Sequence, residues 1–310
     1  MSTSFDAFLD RVTPRVDAAL DRLLPKVSVR PRVIHDAMRY TALSEGKRLR
    51  PALVILAYEA SGGRGRRIDA VAAALEMVHA FSLIHDDLPC MDDDDFRRGK
   101  PASHKVYGEG VAVLAGDALL AAAFGTLASL RGPRGLGPAI TAALVAELAE
   151  SSGSLGVIGG QVLDLLSEGE SVPRATVEYI HRHKTARLFT AALRLGGLAA
   201  GAKPGVLRRL SAYGESVGIA FQIVDDILSA AGTVRELGRD PGRDEARGKV
   251  TYPAVVGLRG SHRAVDRHLA EAARVTRGLP RPKLFDGLRD LIDRRRRDPA
   301  DGLLGLGQAP

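Results

Sequence analysis

Apolar side chains recur at steps of three and four residues along much of the chain, the spacing that predicts amphipathic helices. The first run contains these apolar residues: Phe5, Leu9, Val12, Val16, Leu20 and Leu23. It predicts an N-terminal helix with a break at Thr13-Pro14, where proline can open a second helix, and an end at Pro25.

Further helices are predicted between the glycine and proline breaks. The predicted ranges are about 31–44, 51–61, 68–85, 111–130, 139–150, a glycine-interrupted segment that carries Gln161 and Asp164, a long helix from 173, 206–231 and two final segments. We find no convincing strand, repeat or low-complexity linker. The pattern therefore predicts one all-α domain over residues 1–310, with roughly ten or more helices.

Six carboxylates lie within ten residues after the apolar segment 68–85. They are Asp86, Asp87, Asp92, Asp93, Asp94 and Asp95. Pro89 ends the predicted helix, so the first pair lies at a helix C-terminus, whose partial negative charge disfavours carboxylates. A bound cation would remove that conflict, and Arg97 and Arg98 follow at once, which suits Mg2+ and phosphate groups. The alternative is a solvated acidic loop.

A second acidic segment, FQIVDDILS, occupies residues 221–229. Its polar residues Gln222, Asp225, Asp226 and Ser229 follow at i, i+3, i+4 and i+7, on or near one helix face. Adjacent carboxylates in an apolar helix are costly unless they pair with Arg or Lys or bind a metal. Two such sites in one all-α chain favour a metal cluster between facing helices.

Basic side chains near these motifs are candidate ligands for diphosphate, because Arg offers a forked donor and Lys a mobile charge. They are Lys47, Arg48, Arg50, Arg97, Arg98, Lys184 and Lys249. Singly, each is more often a solvated surface charge. His79 alone would more often be a hydrogen-bonded core histidine, but it shares a helix face with Ser82 and Asp86.

Composition narrows the class of protein. The chain is 45% hydrophobic and 26% charged, as soluble globular proteins are, and its low aromatic content of 5% favours helices over a β-sandwich. The net charge of +7 suggests anionic partners. Since Lys and Arg are scattered and not concentrated in one arm, nucleic acid is not favoured.

The location of the protein is predicted from what the sequence lacks. The single cysteine, Cys90, excludes an intrachain disulfide and fits a reducing compartment. The N-terminus shows no signal-peptide pattern, and no apolar stretch of about 18 residues is free of charge. We therefore expect a cytoplasmic protein with no membrane span.

Six motifs, in this order, resemble the trans-prenyl diphosphate synthase family: GKRLRP, SLIHDDLPCMDDDDFRRGKPASHK, GGQVLDL, HKTARLF, FQIVDDILS and GKVTYP. The similarity spans about residues 46–253. It implies an all-α isoprenoid-synthase fold around a deep cavity, and a homodimer. It also implies Mg2+-dependent, head-to-tail condensation of isopentenyl diphosphate with an allylic diphosphate (dimethylallyl, geranyl or farnesyl), with release of diphosphate.

The resemblance also implies a role for each matching residue. The implied Mg2+ ligands are Asp86, Asp87, Asp92 and Asp225. The implied ligands of isopentenyl diphosphate are Gly46, Lys47, Arg50, His79 and Arg98. The implied ligands of the allylic diphosphate are Arg97, Lys184 and Lys249, and the residues lining the reacting carbons are Thr185 and Gln222. The implied catalytic set is Asp86, Asp92, Lys184, Asp225 and Lys249.

Two residues depart from the family pattern. Ser229 stands where the second motif usually ends in Asp, and a hydroxyl is a weaker Mg2+ ligand than a carboxylate. Arg239 stands where Lys is common; it keeps the charge but not the shape. We expect activity to survive both changes.

Product length is expected to depend on the residues before the first aspartate pair. On a helix, Ser82 and Phe81 lie roughly 6 and 7.5 Å below Asp86, where a ring would block a growing chain. Phe81 with the two-residue insertion Pro89-Cys90 resembles the bacterial short-chain pattern and predicts a C15 product, farnesyl diphosphate. Other segments resemble plant-type geranylgeranyl synthases, so C20 is the alternative.

Three other functions compete with this interpretation. A non-catalytic partner subunit of the same fold is favoured only by Ser229. A terpene cyclase would leave the GKRLRP segment without a role, and an acidic Ca2+-binding module would not explain Lys47, Lys184 and Lys249. The basic run Arg294 to Arg297 is interpreted mainly as a solvated helix end; the alternative is that it helps to close the diphosphate site from the C-terminal side.

Overall fold

The computed structural model describes residues 4–132, 135–231, 248–279 and 281–297, and these residues are almost entirely helical. The helices are α1 (Ser4–Leu23), α2 (Arg32–Ala42), α3 (Leu49–Ala60), α4 (Ile68–Asp86), α5 (Ser103–Tyr107), α6 (Glu109–Ala128), α7 (Pro138–Ser152), α8 (Val157–Leu166), α9 (Arg174–Ile180), α10 (Arg187–Ala199), α11 (Pro204–Ala231), α12 (Tyr252–Thr276) and α13 (Pro282–Arg297). A 3₁₀ turn follows α6 at Ser129–Arg131, and a π-helical turn, His181–Ala186, joins α9 to α10. The all-α prediction is confirmed.

Helix α4 forms the centre of the core because it is apolar around most of its circumference. Fifteen of its 19 residues are buried. It packs against α1, α3 and α6, while α3 packs on α10, α10 on α11, and α11 on α12. The few polar residues of this buried helix are therefore held rigidly, and its C-terminal end carries the first aspartate pair.

The predicted break at Thr13-Pro14 is wrong, since α1 continues through Pro14. Proline removes one backbone hydrogen bond. Val12 and Val16, on either side of it, are both fully buried against the core. Their burial holds the two turns in line and outweighs the lost bond.

A short hairpin between α4 and α5 was not expected from the sequence. Its strands, β1 (Phe96–Arg97) and β2 (Lys100–Pro101), pair antiparallel, with Arg97 opposite Lys100. The turn residues Arg98 and Gly99 have φ angles of 55° and 73°, as the hairpin turn with two positive φ angles requires. The hairpin thereby fixes the direction of Arg97 and Arg98, both of which are predicted site residues.

Two helical segments, Ile68–Asp86 and Glu109–Arg131, are long and apolar enough to cross a membrane by length and composition alone. Neither segment is free of charged residues, because the first contains Glu76 and the second contains Asp117. The first is a core helix, 78% buried within the fold, whereas the second is 39% buried. Its exposed apolar side chains include Val113 and Leu114.

Candidate active site

The first acidic motif folds back onto the end of α4. Asp86 is the last residue of α4, and Asp87 follows it as the C-cap. The Asp92 N–H donates to the Asp86 carbonyl at 2.7 Å, and the Asp94 N–H donates to the Asp87 carbonyl at 3.2 Å. These two bonds bring Asp92 back beside Asp86, as a shared metal site requires.

Two lysines from distant segments face these carboxylates. Lys249 Nζ donates to Asp92 Oδ2 at 2.7 Å, and Lys184 Nζ donates to Asp164 Oδ2 at 2.5 Å. Burial disfavours the Lys184 ammonium, but the charges of Asp86 and Asp164 outweigh it and raise its pKa. Burial raises the pKa of Asp86, opposed by the charge of Lys184. The predicted lysines therefore lie around the first motif.

Backbone contacts place both lysines. On α8, a Cβ added at Gly160 would lie 2.3 Å from the backbone nitrogen of Lys184. Only glycine therefore permits this close approach of the π-helical turn to α8. Gly248 has a φ of 67°, and its carbonyl accepts from the Gly169 N–H at 2.8 Å. This contact fixes the residue directly before Lys249. Glycines at these two positions are thus part of the site.

Asp87 differs from Asp86 because it is paired within the chain. Arg97 donates from Nε to Asp87 Oδ1 at 2.8 Å and from Nη2 to Asp94 Oδ2 at 3.0 Å. Burial raises the pKa of Asp87 to about 6, although Arg97 opposes the rise. A metal ion or an allylic diphosphate would have to share or replace this contact, so the predicted roles of Asp87 and Arg97 stay predictions.

The two aspartates of the second motif have different surroundings. Asp226 is buried and accepts hydrogen bonds from Gln222 Nε2 at 3.0 Å and from the Tyr252 N–H at 2.7 Å. His181 Nε2 lies 3.0 Å from the same carboxylate. Asp225 instead pairs with Arg295 of α13. Asp226 therefore joins α11 to its neighbours, while Asp225 contacts a cation of α13.

The interpretation of Arg294 to Arg297 as a solvated helix end is wrong for two of its members. Arg295 pairs with Asp225, and its guanidinium lies 5.3 Å from the ring centroid of Phe221. Arg296 pairs with Asp266 at 2.7 Å and with Asp293 at 2.5 Å. Helix α13 packs against α11, which brings this basic end to the second motif.

The cations predicted to hold isopentenyl diphosphate converge on His79. Arg50 Nη1 and Arg98 Nη2 lie 3.3 and 3.5 Å from His79 Nε2. Arginine only donates, so Nε2 accepts and the ring is neutral. Burial and the nearby charges of Arg50 and Arg98 lower the pKa of His79 well below its usual value. Gly46 lies against this cluster, since a Cβ there would be 3.2 Å from Arg98 Nη1.

A buried anion, Glu76, lies beneath these cations and was not singled out from the sequence. It accepts from Arg48 Nη1 at 2.8 Å and lies 3.9 Å from Arg98 Nη2. Arg48 also donates to Asp17 at 2.7 Å and to the Ser44 carbonyl at 2.8 Å. Arg48 is thus paired with other groups of this chain. Burial lowers the pKa of Arg50 to about 10, and the charge of Glu76 opposes that fall.

The other predicted residues lie on the same helices. The Thr185 hydroxyl donates to Gln222 Oε1 at 2.7 Å, which links the π-helical turn to α11. Lys47 is half-buried, directly before Arg48. Ser82 is buried and donates to the His79 carbonyl at 2.9 Å, while Phe81 is buried with its ring 4.9 Å from that of His85. Ser229 is buried, and Arg239 lies outside the described residues.

The acidic residues fit Mg2+ by their chemistry. Their oxygens are the ligands that Mg2+ prefers, and they come from two helices and a loop. Two of them contact a cation in this structure: Asp92 contacts Lys249, and Asp225 contacts Arg295. Carboxylates that already attract cationic side chains from other segments are suited to a divalent ion. Asp86, Asp92 and Asp225 would hold it.

Three residues at or near the site were not predicted as site residues from the sequence. Asp164 shares a helix face with Gln161 in GGQVLDL, a spacing of three that signals a common role. Glu76 lies three residues before His79 in a helix otherwise almost uncharged, which is also a local signal. Arg295 carried no such signal, because only the packing of α13 on α11 brings it to Asp225.

Comparisons with known proteins give one consistent result. A family model described as polyprenyl synthetase matches residues 31–278. Heterodimeric geranylgeranyl pyrophosphate synthase large subunit 1 of Arabidopsis thaliana is 43% identical over 274 residues, covering 87% of this chain and 74% of that protein. Farnesyl diphosphate synthase of Escherichia coli (strain K12) is 50% identical over 224 residues, covering 72% of this chain and 75% of that protein. The apo crystal structure of an FPP/GFPP synthase from Zymomonas mobilis has a TM-score of 0.82 at 32% identity, covering 96% of this chain and 100% of that one.

Proposed function

The chain belongs to the polyprenyl synthetase family and is a short-chain trans-prenyltransferase, and we propose that its main product is farnesyl diphosphate. In this proposal it joins isopentenyl diphosphate to dimethylallyl and then geranyl diphosphate, with Mg2+. One observation supports it above the others. Helix α4 and the loop after it carry the first-motif carboxylates together with His79 and Arg98, and Arg50 of α3 completes the cluster at His79.

This geometry separates two diphosphate sites. The Arg50–His79–Arg98 cluster presents guanidinium groups around a neutral imidazole and suits a diphosphate without metal. The carboxylates of Asp86, Asp92 and Asp225 would repel a bare diphosphate and suit one that brings cations. We therefore assign isopentenyl diphosphate to the cluster and the allylic diphosphate to the acidic side.

The chain's own cations assist the bond cleavage. The allylic carbon–oxygen bond breaks, the isopentenyl double bond supplies the electrons of the new carbon–carbon bond, and one proton is lost. Lys184 and Lys249 lie beside the carboxylates that we assign to the allylic diphosphate, so in this proposal they stabilise the negative charge of the leaving group. Mg2+, when bound at Asp86, Asp92 and Asp225, supplies the same stabilisation as a Lewis acid. The apolar packing of the surrounding helices keeps water from the carbocation.

A direct assay tests this function. Purified protein is incubated with Mg2+, isopentenyl diphosphate and, separately, dimethylallyl, geranyl or farnesyl diphosphate, and the products are identified by mass spectrometry. The expected result is a C15 product from the first two and none from farnesyl diphosphate. Absence of any product with all three would overturn the catalytic assignment and favour a non-catalytic partner subunit.

A C20 product, geranylgeranyl diphosphate, is the second candidate. It is favoured by the identity with the Arabidopsis protein, whose name specifies geranylgeranyl pyrophosphate. Phe81 distinguishes the two products. Its ring is buried below Asp86, where we propose that it limits the length of the growing chain.

Substitution of this ring tests the limit. We predict that Phe81→Ala shifts the product of this enzyme from C15 to longer chains, measured as the product distribution by mass spectrometry. Leu155→Ala, which removes an apolar side chain that is 71% exposed, is the control and should leave the distribution unchanged. An unchanged distribution in Phe81→Ala would contradict the assignment.

We also propose that the protein is a homodimer, with α2 and α6 at the interface. An apolar groove between them is lined by Pro31, Val33, Ile34, Val111 and Leu114, among others. Leu114 is 59% exposed, and a large apolar face of this kind is costly in water. Leu114→Glu should convert the dimer into a monomer in light scattering. A wild-type monomer would contradict the proposal and leave a different subunit, as for the Arabidopsis protein, as the partner.

A further inference from the structure

A third group of metal-ligand side chains lies next to the active site but outside the proposed Mg2+ ligands. Candidate ligand atoms of Asp93, Asp95 and His104 all lie within 4.8 Å of one another. Asp93 and Asp95 belong to the acidic loop and are exposed, whereas His104 is in α5 and only 6% exposed. The hairpin that carries Arg97 and Arg98 lies between them in sequence.

His104 is the observation that separates this group from an ordinary acidic cluster. Both of its ring nitrogens are buried, and neither makes a hydrogen bond. Burial of this imidazole removes its hydration, and no hydrogen bond compensates for that loss, so burial of the ring is unfavourable. Since its ring lies beside two carboxylates, a cation that all three ligate would remove this cost.

We propose that Asp93, Asp95 and His104 form a binding site for a divalent transition-metal ion of the Mn2+ or Zn2+ type, distinct from the catalytic Mg2+ sites. An imidazole nitrogen favours such ions, whereas Mg2+ prefers oxygen ligands only. Ligand atoms of a single ion at about 2.1 Å lie roughly 3–4 Å apart. The present spacing therefore needs only a small adjustment of exposed aspartate side chains.

The site would stabilise the loop that holds the active-site aspartates. The Asp95 carbonyl already accepts from the Ala102 N–H at 2.8 Å, and the Asp93 N–H donates to the Leu88 carbonyl at 3.0 Å. A cation joining the loop to α5 would close the segment that contains Arg97 and Arg98. Lys105 Nζ, 2.7 Å from Asp95 Oδ1, is a competing cation; this pair is exposed and therefore weak.

Pulsed electron paramagnetic resonance of Mn2+ bound to the full-length protein tests the proposal. The proposed catalytic ligands are all oxygens, so the strong nitrogen coupling of an imidazole coordinated to Mn2+ identifies a site with histidine. We expect nitrogen coupling in the wild type and in Asp225→Ala, and its loss in His104→Ala. Mn2+ binding without nitrogen coupling, or with coupling that persists in His104→Ala, would overturn the site.

A second variant keeps the proposal testable where His104→Ala does not fold. Lys105→Ala removes an exposed ammonium that competes for Asp95, and it leaves the buried side chains in place. We expect about two- to five-fold tighter Mn2+ binding at the nitrogen-coupled site, as loss of a weak exposed pair would give. Unchanged or weaker binding would contradict the predicted position of the ion.

Discussion

The first and second acidic motifs each contain two adjacent aspartates, but α4 ends at its pair whereas α11 continues past its own. In both motifs one member is buried and hydrogen-bonded within the chain: Asp87 pairs with Arg97, and Asp226 binds Gln222 and the Tyr252 N–H. The other member, Asp86 or Asp225, is only half-buried, and we propose that it serves the substrate site. Neighbouring helical residues point about 100° apart, so an adjacent pair rarely serves one ligand.

The motifs also differ in how they are held. The first is fixed by backbone hydrogen bonds within its own loop, which place Asp92 beside Asp86. The second depends on contacts with distant segments, including Arg295 of the last described helix. We therefore expect the first motif to be complete in every state of the protein, and the second to depend on where α13 lies.

The largest expected effect is the loss of the first motif. Asp86→Asn and Asp92→Asn should each lower kcat about 100- to 1000-fold or more, because each removes a charge facing the leaving diphosphate and its metal. Steady-state kinetics at saturating Mg2+ measures this. Asp290→Asn, an exposed carboxylate on α13, is the control and should keep wild-type kcat. Equal losses in all three variants would contradict the assignment.

The next effect separates the two aspartates of the second motif. Asp226→Ala should lower Tm by roughly 5 °C or more, because it leaves the buried Tyr252 N–H and Gln222 amide without their acceptor. Asp225→Ala should lower kcat about 10- to 100-fold with Tm almost unchanged. Calorimetry and kinetics on both variants check this, and the reverse pattern would show that the roles are exchanged.

The positions of these aspartates could be predicted from the sequence, but their partners could not. Pro89 predicted that Asp86 lies at a helix end, and spacing predicted that Gln222 and Asp226 share a face; both are confirmed. The sequence did not predict the partners of Asp87 and Asp226. Arg97 contacts Asp87 from a hairpin, and the Tyr252 N–H contacts Asp226 from another helix. Such contacts depend on tertiary packing, which has no local periodicity.

A smaller effect tests the dependence on α13. Arg295 competes with a metal ion for Asp225, so Arg295→Met should lower the Mg2+ concentration for half-maximal activity about three- to five-fold. Arg297→Met, on the same helix but 72% exposed, is the matched control. A higher Mg2+ requirement in Arg295→Met would instead show that Arg295 contributes to substrate binding.

The smallest effect concerns Ser229. A carboxylate introduced by Ser229→Asp would be buried next to Asp225 and Asp226, where its own burial offsets its attraction for Mg2+. We expect the Mg2+ dependence to change by no more than about three-fold. A gain in turnover of about ten-fold or more would show that the serine limits this enzyme.

The most direct test of the two-site account is calorimetric binding of each substrate alone, with Mg2+ and with a chelator. Isopentenyl diphosphate should bind with similar affinity in both conditions, because the Arg50–His79–Arg98 cluster holds it without metal. Geranyl diphosphate should bind only with Mg2+, because the carboxylates on its side repel it otherwise. Equal dependence of both substrates on Mg2+ would contradict the division of the site into a cationic and an acidic half.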